Sequence, residues 1–399
     1  MVRGVLIGGL VALAALAQTP ARAPQAPAPK PQVAKPQPGQ GQLDSNETLF
    51  TVLAAIHAGG YNAEIDSASS HPLRKTVRDH FAKLDLESVA ALKRYVRDHK
   101  PRDPNAELSQ YISWALLSTG PPSFALKTDF PAPPDAASLD NFALLISQFY
   151  QEANIGGIWK QVQPYYDAEI DRYHEPVTNA VLQVNAYLRN VTSGYVGRRF
   201  QVYVDVLGAP NQVQTRNYVD DYYVVFTPAT EMPIDDIRHA YLHYLLDPVG
   251  IKYSDDLKKK SALNEYAQNA PALSELYKGD FVLMATESLL KAIEGRLDKK
   301  PQHIQQALQE GFVLAPAFDE RLAAFERQEQ AMRLYFPDLV AGIDVKREQR
   351  RLESVQFAND RAVRSIKRAP APEPKPVELT GAAKSLDQAE QAIVKRDTA

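Results

Sequence analysis

Along residues 47–118 the apolar positions recur at helical spacing. "ETLFTVLAAIHAGGY" runs apolar on this period and stops at Gly59 and Gly60. "HPLRKTVRDHFAKL" opens with Pro72 at a tolerated first-turn position, and "DLESVAALKRYVRDH" has Asp85 in place to cap its start. "ELSQYISWALLST" ends at a Gly/Pro breaker, inside a proline-rich loop over 119–136. Past that loop, "SLDNFALLISQFYQEANI", "IWKQVQPYYDAEIDRY" and "EPVTNAVLQVNAYLRNV" read as three more helices. The period then changes to two. In "RFQVYVDVL" the side chains of Phe200, Val202, Val204 and Val206 share a face, and "DYYVVFT" is aromatic and β-branched. A hairpin or small sheet is expected there, directly ahead of "IRHAYLHYLLDP". Helical spacing returns in "FVLMATESLLKAIEGRL", in "QHIQQALQEGF" and in a charged stretch over 319–367. The pattern predicts a mainly α (α+β) fold: a helical body with a small antiparallel sheet beside the helix of residues 237–247.

This divides the chain into an N-terminal helical region, 44–118, and a larger domain, 137–367, with the proline-rich loop as the natural boundary. The first region is either a separate lobe or a cap on the same core. The two ends differ from the middle in composition, and the 29 prolines of the 399 residues concentrate there. Arg3 followed by an apolar run over 5–16 and "ALA" at 15–17 reads as a signal peptide, residues 1–17, and places the mature start near Gln18 in a bacterial periplasm. An uncleaved anchor is the alternative, although the run is short for a bilayer. Residues 18–43, rich in Pro, Ala and Gln, read as an extended tether, and 368–399 as a disordered tail. The chain has no cysteine, hence no disulfide framework and no lipid-attachment cysteine. A net charge of −3 gives no electrostatic basis for binding nucleic acid.

His239 and His243 stand four residues apart on the predicted helix, so both imidazoles project from one face and can reach one ion. A tetrahedral zinc site needs that spacing and a third ligand from elsewhere. Among eight histidines such a pair arises by chance often enough that it is not a site by itself; two packed histidines on an amphipathic helix would look the same. Three neighbours add weight: the strand-like segment before the helix, Pro248 and Gly250 expected to end it one turn past His243, and a second helix carrying Glu287. Glu294, two turns further on, competes with Glu287 for the role of third ligand. Of Tyr241, Tyr244, Tyr253 and Tyr266, which could stabilise an oxyanion in an active enzyme, most are expected to pack, and His57 to be a satisfied core or edge histidine.

Over residues 140–300, "FYQEANIGGIWKQVQPYY", the strands, "IRHAYLHYLLDP" and "TESLLKAIEGR" together resemble bacterial gluzincin-like metallopeptidases of unknown function. The resemblance implies that His239 and His243 match the family's two histidine ligands and Glu287 its carboxylate ligand, with zinc as the cofactor. The family's glutamate after the first histidine does not carry over, because that position holds Ala240. That glutamate moves the proton of a metal-bound water, and losing such a base costs about 10²–10⁴-fold in rate. A displaced carboxylate such as Asp236 or Glu265 is the alternative base, and neither has a spacing that recommends it.

The leading expectation is an exported pseudopeptidase that keeps a zinc-type site and has lost hydrolysis, its cleft free to hold a peptide or protein. Two others stay open: a metal-free periplasmic helical protein acting through its C-terminal helix, and an active metallohydrolase with an unorthodox base.

Overall fold

The computed structural model describes residues 43–127, 129–190, 198–229 and 231–360; the expected signal peptide, most of the tether and the C-terminal tail lie outside them. Four strands form one sheet: β1 (Leu43–Asp44), β2 (Arg199–Val204), β3 (Val213–Tyr218) and β4 (Asp221–Phe226), in the order β1-β2-β4-β3. β4 is buried from Tyr222 to Phe226, which suits a strand covered on both sides, and it takes an interior place. The polar β3, only partly buried along its length, takes an edge.

The expected fold class holds: most of the described chain is helical, with one small sheet. The sheet itself differs from expectation, being mixed rather than antiparallel. "RFQVYV" and "DYYVVF" do not form a hairpin; they run parallel, Val202 opposite Val224. The hairpin partner of β4 is β3, whose polar composition hid it from a hydrophobicity pattern. Arg199 of β2 closes the parallel pair at one end with two bonds to Asp221, 3.0 and 2.9 Å long.

The N-terminal helices are α1 (Glu47–Ala58), α2 (Pro72–Ala82), α3 (Glu87–Asp98) and α4 (Pro104–Leu117). α1 starts at Asn46, whose side chain accepts from Leu49 N, and is buried on every side. α3 begins at Leu86 without the expected Asp85 cap; its free Ser88 N–H is met instead by Glu152 Oε2 at 3.0 Å, from a neighbouring helix. These helices cap the common core and are not a separate lobe, because one continuous set of buried apolar side chains runs from Leu43 to Leu352.

The joint between α1, α2 and the sheet is polar. Both ring nitrogens of buried His57 lie 2.8 Å from carbonyl oxygens, those of Tyr61 and Leu207. Buried Arg74 also donates to Leu207 O, at 3.0 Å, and to Ala63 O. Beside them Asp205 Oδ1 accepts from Leu207 N at 2.9 Å, while Oδ2 makes no hydrogen bond of full geometry. Gly208 is needed for this turn, since a Cβ there would fall 2.7 Å from Asp205 Oδ2 and 2.3 Å from Thr227 Oγ1. Among the described residues, no helix is long and apolar enough to cross a membrane.

Burial pushes the Asp205 carboxyl up to about 7, against the pull of the Leu207 and Gly208 amides and of Arg74. The unfolded chain would bind that proton only below about pH 4, so between pH 4 and 7 the folded chain holds it more tightly. The stability Asp205 contributes is therefore present in acid and lost as pH rises through about 7. Urea unfolding of Asp205→Asn beside the wild type is expected to show the variant gaining on the wild type from about pH 5 to pH 8. A pH-independent difference would mean that Asp205 folds as the carboxylate.

Candidate metal centre

The histidines lie on a helix spanning Ile234–Lys252. Contrary to expectation it does not stop at Pro248. A proline there removes the bond that would end on the Tyr244 carbonyl, four residues back. That carbonyl is taken instead by Arg198 Nη1 at 2.8 Å, and the Tyr244 hydroxyl donates to Arg198 O at 3.0 Å. The orphaned acceptor is satisfied from outside, so the helix runs on. The strand expected ahead of it is present as β4, in an interior place in the sheet.

The second helix, Phe281–Leu297, is capped by Asp280, which accepts from Val282 N and Leu283 N. Small side chains at Ala285, Ser288 and Ala292 let it sink into the core. It meets the histidine helix where Gly250 faces Thr286: a Cβ on Gly250 would lie 2.4 Å from Thr286 Oγ1. Thr286 is tied back to Val282 O at 2.8 Å. That close approach places the next residue, Glu287, over the two imidazoles.

His239 Nε2 and His243 Nε2 are 3.2 Å apart. Glu287 Oε2 is 3.1 Å from His243 Nε2, and Oε1 is 3.6 Å from His239 Nε2. Two donors held about 2 Å from a tetrahedral ion lie about 3.3 Å from each other; the Nε2–Nε2 and His243–Oε2 distances have that size, while His239 reaches the other oxygen of the carboxylate at a slightly longer 3.6 Å. The glutamate is 2% exposed, whereas His239 keeps 27% and His243 16% of their side-chain surface. Solvent reaches the site from the histidine side.

Each of the three groups has an oppositely charged or polar partner behind it. His239 Nδ1 is 3.1 Å from Glu294 Oε1, and His243 Nδ1 is 3.0 Å from Asp247 Oδ1. Lys291 Nζ stands 3.2 Å from Glu287 Oε1. Carboxylates behind imidazoles fix the Nδ1–H tautomer and turn the Nε2 lone pairs toward a common point. Three carboxylates against one ammonium leave the cluster short of positive charge. A proton answers part of that shortage: burial works against charging His243, yet Asp247 and Glu287 hold its pKa up at about 10. Burial likewise works against ionised Glu287, and His239, His243 and Lys291 overcome it, holding this carboxyl well below the usual range. Burial is overcome at Glu294 as well, by its bond to His239.

One proton cannot serve all three groups. If His243 Nε2–H points to His239 Nε2, Glu287 Oε2 is left without a donor. That buried oxygen indeed has no hydrogen bond of acceptable geometry, although an imidazole nitrogen is 3.1 Å away. A divalent cation would meet both lone pairs and the orphaned oxygen at once. The donor set of two imidazoles and a carboxylate, with no sulfur, suits a borderline ion of the zinc kind.

The expected ligands His239, His243 and Glu287 are thus brought together, and they form a group able to hold a metal ion. Glu294, the competing candidate, lies behind His239 rather than against its Nε2. Asp247 and Lys291 were not anticipated, although each stands four residues after its partner, a spacing that was legible. Tyr241 and Tyr244 pack as expected, the Tyr241 hydroxyl on Asn185 Oδ1 at 3.0 Å. Asp236 sits in the first turn of its helix, where its charge meets the helix dipole, and Glu265 is an exposed residue of a short helix. Ala240 is 1% exposed, its methyl inside the apolar core. No protein-family model matches this chain, nor does a curated protein or a solved structure.

Because Gly250 sets the helix spacing, Gly250→Ala is expected to lower stability by about 1–3 kcal/mol, measured by denaturant unfolding. Removing the obstructing hydroxyl in Thr286→Ala should return part of that loss, so that the double variant is more stable than the sum of the single changes. Simple additivity would show that the two residues do not set the spacing.

Proposed function

We propose that the chain is an exported metal-binding protein: a gluzincin-like pseudopeptidase that keeps a His/His/Glu zinc site and lacks the base of a peptidase. The observation that carries this reading is the convergence of the buried Glu287 carboxylate on the Nε2 atoms of two histidines whose far sides are already bonded to carboxylates. Two histidines that merely pack have no need of a third metal-ligating group at the point where their Nε2 atoms meet. His239, His243 and Glu287 hold the ion; Glu294 and Asp247 aim the rings. Bound zinc supplies Lewis acidity and an acidified water. Ala240 contributes no acceptor for the proton such a water would release, so the site binds without the relay that hydrolysis needs. A peptide or protein held at the site, and not cut, is the matching role.

Chain stripped of metal and dialysed against zinc is expected to retain about one equivalent. His239→Ala, His243→Ala and Glu287→Gln should each abolish retention, whereas Glu294→Ala and Asp247→Ala should weaken affinity by about 10- to 100-fold. Wild-type protein free of zinc after this treatment would sink the metal reading. Peptide hydrolysis by wild type that disappears in His239→Ala would sink the pseudopeptidase reading and leave the metal.

Restoring a glutamate at position 240 is expected to lower the unfolding midpoint of the metal-free chain. The new carboxylate enters at a site 1% exposed, and an unpaired buried charge costs several kcal/mol. An Ala240→Glu variant as stable as wild type would show that the helix presents this position to the cleft.

A further inference from the structure

Lys291 lies one helical turn after Glu287 and is the described ammonium within ion-pair distance of it. On a surface such a pair contributes little. Here the carboxylate is 2% exposed and the lysine side chain 20%, so the interaction is only weakly screened. The ammonium is also held from its other side: it stands 4.8 Å from the centre of the Phe312 ring, which is in turn fixed edge-on by Tyr277 at 5.2 Å. Phe312 is buried, so the lysine has a built seat and does not sweep through solvent.

The two oxygens of Glu287 consequently have different fates. Oε1 carries Lys291 at 3.2 Å and stands further off, 3.6 Å, from His239 Nε2, while Oε2 lies 3.1 Å from His243 Nε2 with no ammonium on it. A carboxylate free on both sides can give both oxygens to one ion; a carboxylate with an ammonium on one oxygen gives the other. Lys291 also places a positive charge within one carboxylate's width of any ion at the histidines, and like charges repel. Asp247 and Glu294 do the opposite, each adding negative charge behind a ligand.

We propose that Lys291 is a competing counter-ion for Glu287: it restricts the glutamate to a single oxygen donor, lowers the affinity of the site for its metal, and keeps a coordination position open to an outside ligand. The inference rests on the metal reading above. It makes Lys291 a positioning residue with an unusual sign, since removing a supporting residue ordinarily loosens a site, and removing this one tightens it.

The test is cobalt(II) binding to the full chain, read by visible absorption and by competition with a chelator of known affinity. Lys291→Met is expected to bind cobalt about tenfold more tightly, as the repulsion of one nearby charge is lifted. Its visible band should weaken, since four-coordinate cobalt absorbs more strongly than cobalt with additional ligands, and both Glu287 oxygens can now reach the ion. Lys291→Arg, which keeps a charged donor on Oε1, should restore the wild-type spectrum and affinity. A Lys291→Met variant that binds cobalt with unchanged or weaker affinity and an unchanged spectrum would overturn the role of Lys291 and leave the metal site standing. A wild-type chain that takes up no cobalt would overturn the metal site and this role with it.

Discussion

A carboxylate buried to 2% exposure between two helices is the constraint around which this site is organised. An ionised group taken out of water is stable only if opposite charge and hydrogen-bond donors come with it. Glu287 has His239, His243 and Lys291 around its two oxygens. The imidazoles in turn need acceptors at Nδ1, and Glu294 and Asp247 provide them. The helices can bring these groups together only because Gly250 admits Thr286 and because Arg198 satisfies the carbonyl that Pro248 leaves free. Much of the local sequence, from the glycine to an arginine on the far side of three strands, serves the placement of one charge.

The helical body and the histidine pair of the candidate metal site were largely legible from periodicity, for a physical reason. Both depend on spacing along a single helix, and helical geometry fixes which side chains share a face. Glu287 could be chosen but not secured, because which of two glutamates seven residues apart meets the imidazoles depends on how two helices are rotated against each other. The outcome uses both: Glu287 on Nε2 and Glu294 on Nδ1. Features that depend on long-range contacts were hidden. Strand β3 is polar because it lies at an edge, and the end of the histidine helix was misplaced because the rescue of the Tyr244 carbonyl comes from Arg198, 46 residues away. Asp85 failed as a cap for the same reason: Glu152, distant in sequence, already served the exposed amide.

Ligation and hydrolysis make different demands on the fold, and the two are separable here. Ligation asks for three donors around a point and acceptors behind them, which two helices supply. Hydrolysis also asks for a base beside the metal-bound water, on a surface the water can reach. Position 240 lies 100° around the helix from His239, and its side chain is buried in the apolar core. A single substitution to glutamate therefore changes the residue without changing its surroundings; the core would have to open as well. With no carboxylate there to need water, apolar packing is the more stable use of the space. The ligand triangle carries no such pressure. Asp247, Glu294 and Lys291 set its electrostatics from the two helices alone, so an arrangement able to hold a metal ion is compatible with an apolar core at position 240.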